Sequence, residues 1–268
     1  MTLLAPERHE RILTRLRTHA TITVQQIAQE FSVTRETVRR DLDQLESAGV
    51  LRRVHGGAVS LTSTSRIETS WRDRRLSNSA QKQAIAHAAL EFLPPPGTGS
   101  IIMDSGTSTE ALADLIASES QTGAPAESRM LITNAVPIAQ KLSDLPAIDV
   151  EILGGQVRGL TGAVVGDQAL DTLSRRQADV AFIGTNGIDV EFGLSTPDAA
   201  EAAMKSAFIR AARTSVLLAD SSKLDRSALV RFAELKEISM LITDAEPPAP
   251  LREALEAAEV TTVVAGPR

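Results

Sequence analysis

A cluster of hydroxyl-bearing residues around one glycine is the first feature of this 268-residue sequence that could do chemistry. In IIMDSGTSTEALADLI, residues 101–116, an apolar strand is predicted to end at an aspartate, and the following residues turn the chain into a helix. The candidate residues are Asp104, Gly106, Thr107, Ser108 and Thr109. The glycine lets a ligand approach the backbone, and the N–H groups at the helix start, with the nearby hydroxyls, could bind a phosphate. Neither Gly-rich nucleotide motif is matched, so no nucleotide is inferred, and ordinary helix capping is the alternative.

A second cluster is cationic. FSVTRETVRRDL, residues 31–42, carries three arginines in a chain whose formal net charge is −6. Residues 1–60 hold nine Arg and seven Asp or Glu, whereas residues 61–268 hold 19 Lys or Arg and 27 Asp or Glu. A basic head on an acidic body suggests a polyanionic partner. Double-stranded DNA fits, because an arginine can donate two hydrogen bonds to a guanine in the major groove.

Three helices are predicted to position these arginines. The first runs from Pro6 to His19, and the second, TVQQIAQEF, follows a capping threonine. The third is capped by Thr34 and ends near Gly49. Its buried stripe is Val38, Leu42 and Leu45, and the polar residues of its first turns are left on the outer faces. This spacing is typical of a helix–turn–helix.

The segment after the third helix, VLRRVHGGAV, predicts a short strand and a glycine turn, as in a β-wing. Arg52 and Arg53 are predicted to contact phosphates, and the alternative is that they pair with Glu46 or Asp43. The full set of candidate DNA contacts is Thr34, Arg35, Glu36, Thr37, Arg39, Arg40, Arg52, Arg53 and His55.

These motifs carry a resemblance. ERHERILTRL and VTRETVRRDLDQLESAGVLRRVHGGAV, with its Arg-Arg-Asp-Leu and its downstream His-Gly-Gly-Ala, resemble the DeoR family of bacterial sugar-catabolism regulators. The signature spans residues 34–58 and is much longer than a lone helix–turn–helix. The resemblance implies a winged helix-turn-helix that binds operator DNA.

The body of the chain alternates short apolar strands with helices. This pattern predicts an α/β fold with a mainly parallel sheet whose faces are covered. We expect residues 1–60 to form the DNA-binding domain, residues 61–79 a linker, and residues 80–268 the α/β domain. Open α/β sheets bind ligands beyond the carboxyl ends of their strands. The predicted strand ends are Asp104, Asn134, Gly154, Gly184 and Asp220.

The same resemblance extends through the body. DSGTST, TNAVPIAQKL, ILGGQVRGLTGAVVGD, GLSTPDAAEAAMK and LLADSSK look like the DeoR-family sensor domain, which is similar in fold to ribose-5-phosphate isomerase and glucosamine-6-phosphate deaminase. It implies further effector-site residues beside the residues 104–109 loop and Gly184. These are Thr133, Asn134, Gly154, Glu201, Lys205 and Lys223.

A phosphorylated sugar would fit such a site. The loop amides with Lys205 or Lys223 would bind its phosphate. Asp104 and Asn134 would bind its hydroxyls, and Asp189 is a further candidate for them. For Glu201 and Lys205 the alternative is a simple i,i+4 helix pair.

The leading hypothesis is a repressor of a sugar-catabolism operon, at least dimeric, that a phosphorylated sugar releases from DNA. One alternative is a sugar-phosphate isomerase or deaminase carrying a DNA-binding arm, and another is a DNA-binding protein whose body only oligomerises. The absence of Cys excludes thiolate chemistry, and no cofactor, metal site or catalytic residue is expected. No apolar run could span a membrane, and a cytoplasmic location is expected.

Overall fold

Two separate sets of internal contacts divide the chain into Met1–Ser65 and Arg66–Arg268. The computed structural model describes residues 5–19, 21–48, 50–54, 56–60, 71–120 and 128–266. The predicted helix end at Gly49 lies outside the described residues.

The first unit has three helices and a small antiparallel sheet. Its elements are α1 (Ala5–His19), β1 (Thr21–Thr23), α2 (Val24–Glu30), α3 (Arg35–Ser47), β2 (Leu51–Val54) and β3 (Gly57–Ser60). The strands pair in the order β1-β3-β2, so the predicted wing is present, with one further strand that the sequence analysis did not predict. That strand has only three residues, too few for a pattern.

The caps of the first unit follow its sequence. Thr23 and Gln26 form a capping box at α2, and Thr34 Oγ1 accepts a 3.1 Å hydrogen bond from Thr37 N at the start of α3. The predicted stripe of Val38, Leu42 and Leu45 is buried. It packs in one apolar cluster with residues of α1 and α2, and this packing fixes which face of α3 remains outside.

The second unit is a seven-stranded parallel sheet with helices on both faces. Its elements are α4 (Trp71–Leu76), α5 (Ser79–Ala89), β4 (Ser100–Met103), α6 (Thr107–Ser120), β5 (Arg129–Thr133), α7 (Val136–Leu142), β6 (Ile148–Ile152), β7 (Gln156–Arg158), β8 (Ala163–Val165), α8 (Asp167–Ser174), β9 (Ala178–Gly184), β10 (Gly187–Asp189), β11 (Gly193–Thr196), α9 (Ala199–Arg210), β12 (Ala212–Leu218), β13 (Val230–Ala233), β14 (Met240–Thr243), α10 (Ala249–Ala257) and β15 (Thr261–Val264). Consecutive strand residues enter opposite cores, as Phe182 and Ile183 of β9 do.

The strand order is β15-β14-β12-β9-β4-β5-β6, and every pair is parallel. From β4 the chain adds β5 and β6 on one side, then returns to build the other side from β9 outwards. The order therefore reverses between β4 and β9. In open α/β sheets the crevice at this reversal is where ligands bind.

The structure also contains elements that the sequence analysis did not predict. They are α4, α10, the hairpin β7–β8 and a small antiparallel sheet of β10, β11 and β13. Helix α4 lies within residues 61–79, the segment expected to be a linker. Its first residue is tied to the second unit, because Trp71 N donates to Leu160 O at 3.0 Å.

Candidate functional site

Asp104 organises the loop between β4 and α6. Its Oδ1 accepts hydrogen bonds from Gly106 N and Thr109 Oγ1, both at 2.9 Å. Its Oδ2 accepts from Gly184 N at 2.9 Å and from Lys205 Nζ. The carboxylate is buried and fully occupied, so it holds the loop in shape rather than offering itself to a ligand.

The glycine of this loop is required by the crowding that Asp104 creates. A Cβ on Gly106 would lie 2.9 Å from Asp104 Oδ1 and 3.0 Å from Thr109 Oγ1. Gly184 passes close by, with its Cα 3.3 Å from that same Cβ position. The two glycines therefore allow the ends of β4 and β9 to meet at the reversal of the strand order.

Glu201 and Lys205 do not form the helix pair that was considered as the alternative. Lys205 Nζ binds Asp104 and donates to Gly184 O at 2.9 Å. Glu201 Oε1 instead accepts from Arg158 and, at 2.6 Å, from Thr161 Oγ1. Lys205 and Glu201 thus bind to two different loops.

Three hydroxyl groups remain available at the start of α6. Ser105, Thr107 and Ser108 line a cleft that opens at the carboxyl ends of β4, β9 and β12. In the part of the chain that the structure describes, none of these side-chain oxygens hydrogen-bonds to protein. The first N–H groups of a helix have no intrahelical acceptor, so hydroxyls and amides together present donors to the cleft.

Four cationic side chains line the same cleft: Arg74, Lys82, Lys205 and Lys223. Burial lowers the pKa of Lys82 to about 8; Asp220 opposes this shift, and Lys223 and Arg74 add to it. The cations therefore lie close enough to affect one another. Such a site favours an anion.

Five of the predicted effector residues do not line this cleft. Asp104 and Thr109 are buried beside it, and Thr133, Asn134 and Gly154 lie at or after the ends of β5 and β6. The hairpin β7–β8 covers the ends of their strands: Asn134 Nδ2 donates to Val164 O at 2.9 Å, and Val164 N donates to Asn134 O at 2.7 Å. Thr133 Oγ1 is used in a 2.7 Å hydrogen bond to Met103 O. Thr133 and Asn134 therefore hold the hairpin and the sheet together.

In the first unit, the outer face of α3 carries the predicted contact residues. Arg35, Glu36, Arg39 and Arg40 are exposed, and Thr37 is half-buried. Among the described side chains, this face has one ion pair, in which Arg39 lies 3.6 Å from Glu36. The pair is exposed to solvent and therefore weak. The arginines are available to an external partner.

A buried ion pair that the sequence analysis missed fixes α3 against α1. Arg8 donates to Asp41 through Nε at 2.7 Å and through a terminal nitrogen at 2.8 Å. His9 Nε2 lies 3.1 Å from the same carboxylate. Although burial favours a higher pKa for Asp41, the hydrogen bonds from Arg8 and His9 hold that pKa below its usual value. In the sequence, this ion pair is indicated only by the position of Asp41 in the Arg-Arg-Asp motif. Asp41 stands next to the buried Leu42 and therefore near the inner face of α3.

The described wing arginine, Arg53, pairs within the protein, which was the alternative to a phosphate contact. Its guanidinium pairs with Asp43, and its backbone N donates to Glu46 Oε1 at 2.7 Å. A phosphate contact by Arg53 stays a prediction. The side chain of Arg52 and all of His55 lie outside the described residues.

Comparisons with known proteins agree with this architecture. Residues 77–245 match the DeoR C-terminal sensor domain, and residues 8–64 match the DeoR-like helix-turn-helix domain. The chain belongs to the DeoR family. It is therefore a DNA-binding transcriptional regulator of the helix-turn-helix type.

Two relatives show how much of this DeoR-family chain is shared. The HTH-type transcriptional regulator GlpR of Haloferax volcanii is 36% identical over 97% of this chain and 98% of its own. The glycerol-3-phosphate regulon repressor of Escherichia coli K12 is 30% identical over 93% of this chain and 94% of its own.

Solved structures resemble the regulator only in part. A probable sor operon regulator from Shigella flexneri covers 72% of this chain and 92% of its own, with a TM-score of 0.43 and 14% identity. The ribose 5-phosphate isomerase A of Methanocaldococcus jannaschii covers 55% of each chain, with a TM-score of 0.40 and 15% identity. The family assignment rests on the sequence matches.

Sequence analysis missed several residues of the cleft, above all Arg74, Lys82 and Ser105. Lys82 stands in the first turns of a predicted helix, and only its burial distinguishes it from a surface lysine. Arg74 lies in a segment without periodicity.

Among the described helices none is long and apolar enough to cross a bilayer. Among the described residues, no group of acidic and histidine side chains is placed to hold a metal.

Proposed function

We propose that this regulator represses an operon of carbohydrate metabolism, and that a phosphorylated sugar or polyol relieves the repression by binding the cleft at the start of α6. One observation carries the proposal: unused hydroxyls and helix N–H groups face a cleft that four cations line. A helix N-terminus favours a bound phosphate through its free N–H groups and its dipole. The relatives named for the glycerol-3-phosphate regulon support a phosphorylated effector.

We expect the residues in and beside the cleft to have different roles. Ser105, Thr107 and Ser108 would donate to the phosphate oxygens, and Lys223 would supply charge. Asp104 and Lys205 keep the loop in the shape that presents these donors. A carboxylate that already accepts four hydrogen bonds is a poor ligand for sugar hydroxyls.

The head would bind DNA through α3. Its N-terminal turns expose Arg35, Arg39 and Arg40, and a major groove admits such a helix. In a two-fold dimer, two of these helices would contact half-sites about 34–36 Å apart, or a multiple of that distance. The effector would favour an arrangement with another spacing. Moving a population from 1:99 to 99:1 requires a difference in binding free energy of about 5.5 kcal/mol between the two states.

The cleft does not favour the enzymatic alternative. An isomerase or deaminase needs a carboxylate positioned as a base, and three were considered. Asp104 and Glu201 are paired with cations, and Asp189 accepts from the backbone of Glu191 and Phe192 at 2.9 and 2.7 Å. All three are used in holding loops.

A gel-shift titration of the full chain tests the proposal. The DNA is the promoter fragment upstream of its own gene, and the effectors are glycerol 3-phosphate, fructose 1-phosphate, ribose 5-phosphate and their unphosphorylated counterparts. We expect at least one phosphorylated compound to weaken the complex and its counterpart to have no effect. If no phosphate ester changes the affinity for DNA, or if a phosphate ester is turned over, the proposal is wrong.

A further inference from the structure

A half-buried arginine of the cleft has two buried nitrogens without a hydrogen-bond partner. Nε and one terminal nitrogen of Arg74 are inaccessible to solvent and hydrogen-bond to no described group. The side chain lines the cleft together with the loop of residues 105–108. An unsatisfied buried donor is unfavourable, and more so when it is charged.

The anions of the cleft do not neutralise it. Asp104 pairs with Lys205, and Glu201 pairs with Arg158. Asp220 Oδ1 accepts from Ser222 and, at 2.9 Å, from Asn78. Arg74 is therefore positioned for a group that the protein does not supply. A guanidinium can bind two oxygens of one phosphate at once.

Arg74 belongs to α4, the first described helix of the second unit. Two long-range contacts hold this helix, since Trp71 N donates to Leu160 O at 3.0 Å and the guanidinium of Arg75 lies 4.0 Å from Glu110 and Asp114 of α6. Lys82 Nζ donates to Arg74 O and, at 2.7 Å, to Ser77 O. The guanidinium of the exposed Arg75 also lies 5.4 Å from the centre of the Trp71 ring. Residues 61–70 connect α4 to the unit that contains α3.

We propose that Arg74 is a further anion-binding residue of the cleft and that its contact with the bound phosphate fixes α4 against the start of α6. Occupancy of the cleft is thereby transmitted to the chain that leads to the DNA-binding head. The inference rests on the proposed function, since it requires that the cleft bind a phosphate. It adds the residue and the helix through which binding acts.

The experiment uses the full chain, inorganic phosphate as the probe, and the variants Arg74→Gln and Arg74→Lys. The matched control is Arg75→Gln, which removes the neighbouring cation on the exposed side of α4. Calorimetry measures phosphate affinity, hydrogen exchange reports on residues 66–80, and melting measures the stability of the unliganded chain.

We expect phosphate to slow exchange in α4 of the wild-type chain and of Arg75→Gln. Arg74→Gln should bind phosphate roughly ten- to a hundredfold more weakly, because it loses charged hydrogen bonds, and should show no such slowing. Arg74→Lys should lie between the two. Unliganded Arg74→Gln should melt no lower than wild type, since the guanidinium is unsatisfied there, whereas a structural arginine would lower the melting temperature.

The outcomes separate the two proposals. If wild type binds phosphate while Arg74→Gln binds it equally well, or if exchange in α4 does not respond, the role of Arg74 is wrong and the effector site stands. If wild type binds neither phosphate nor any phosphate ester, the effector site is wrong and the role of Arg74 falls with it.

Discussion

Lys205 of α9 forms a buried ion pair with Asp104, 101 residues before it in the chain. Glu201, one helical turn away, was its expected neighbour and pairs with Arg158 instead. The pair joins α9 to the loop that opens α6. Since Asp104 also accepts from Gly106 N and Gly184 N, Lys205 controls the shape of the cleft as well as its charge.

Replacing Lys205 should therefore damage stability and binding together. Lys205→Met leaves Asp104 buried without its counter-ion, which should cost about 3–5 kcal/mol of unfolding free energy and abolish phosphate binding. Lys223→Met, at a half-buried position, should weaken binding without a comparable loss of stability. Urea unfolding and calorimetry of both variants check this. Equal stability losses in the two variants would contradict the organising role of the pair.

Thr107 and Asn134 should separate a binding residue from a structural one. Thr107→Ala removes an unused hydroxyl from the cleft and should weaken phosphate binding by about tenfold with little change in melting temperature. Asn134→Ala removes the 2.9 Å hydrogen bond to Val164 O and should lower stability by about 1 kcal/mol with phosphate affinity unchanged. Calorimetry and thermal melting distinguish them. The reverse pattern would return Asn134 to the effector site.

The sequence analysis succeeded where local patterns decide structure. Short apolar runs alternating with helices predicted the parallel sheet, and the stripe on α3 predicted its buried face. It failed where a contact depends on topology. An unpredicted hairpin contacts Asn134 at the end of β5, and the ends of β5 and β6 lie outside the cleft, so their place in the effector site stays a prediction that nothing tests. The partner of Lys205 lies on a strand end 101 residues away, beyond any local pattern. Nothing local marks Arg74, since its lack of a partner appears only after folding.

Arg39 should contribute to DNA binding out of proportion to its charge. Arg39→Ala should weaken the complex with promoter DNA by about 1–3 kcal/mol if the side chain contacts a base. Arg11→Ala removes another exposed arginine, from α1, and serves as the control. Gel shifts at several salt concentrations check the prediction. If both variants lose affinity alike, the effect is one of net charge and α3 does not read the groove.

Asp41 should make the head sensitive to acid. Its folded pKa lies below the ordinary 3.8, so its contribution is fully present above about pH 4 and is lost as the pH falls through the folded value. Asp41→Asn should destabilise the head by about 2–4 kcal/mol at pH 7, and the difference from wild type should shrink below pH 4. Asp43→Asn, which disturbs the more exposed pair with Arg53, should cost under about 1 kcal/mol. Hydrogen exchange at α3 amides measures both.

Lys82 should give opposite pH trends to stability and to binding. Its pKa is about 8 in the folded chain and 10.5 ordinarily, so the unfolded chain binds more protons between these values, and the stability contributed by Lys82 rises with pH there. Binding of a phosphate ester needs the charged form of Lys82, and the second pKa of such an ester is about 6. Affinity should therefore be highest between about pH 6 and 8 and fall towards pH 9.5. Calorimetry at pH 7.0 and 9.5 tests this against Lys82→Gln, in which that fall should be smaller and the overall affinity lower. An equal fall in wild type and variant would place the titrating group elsewhere.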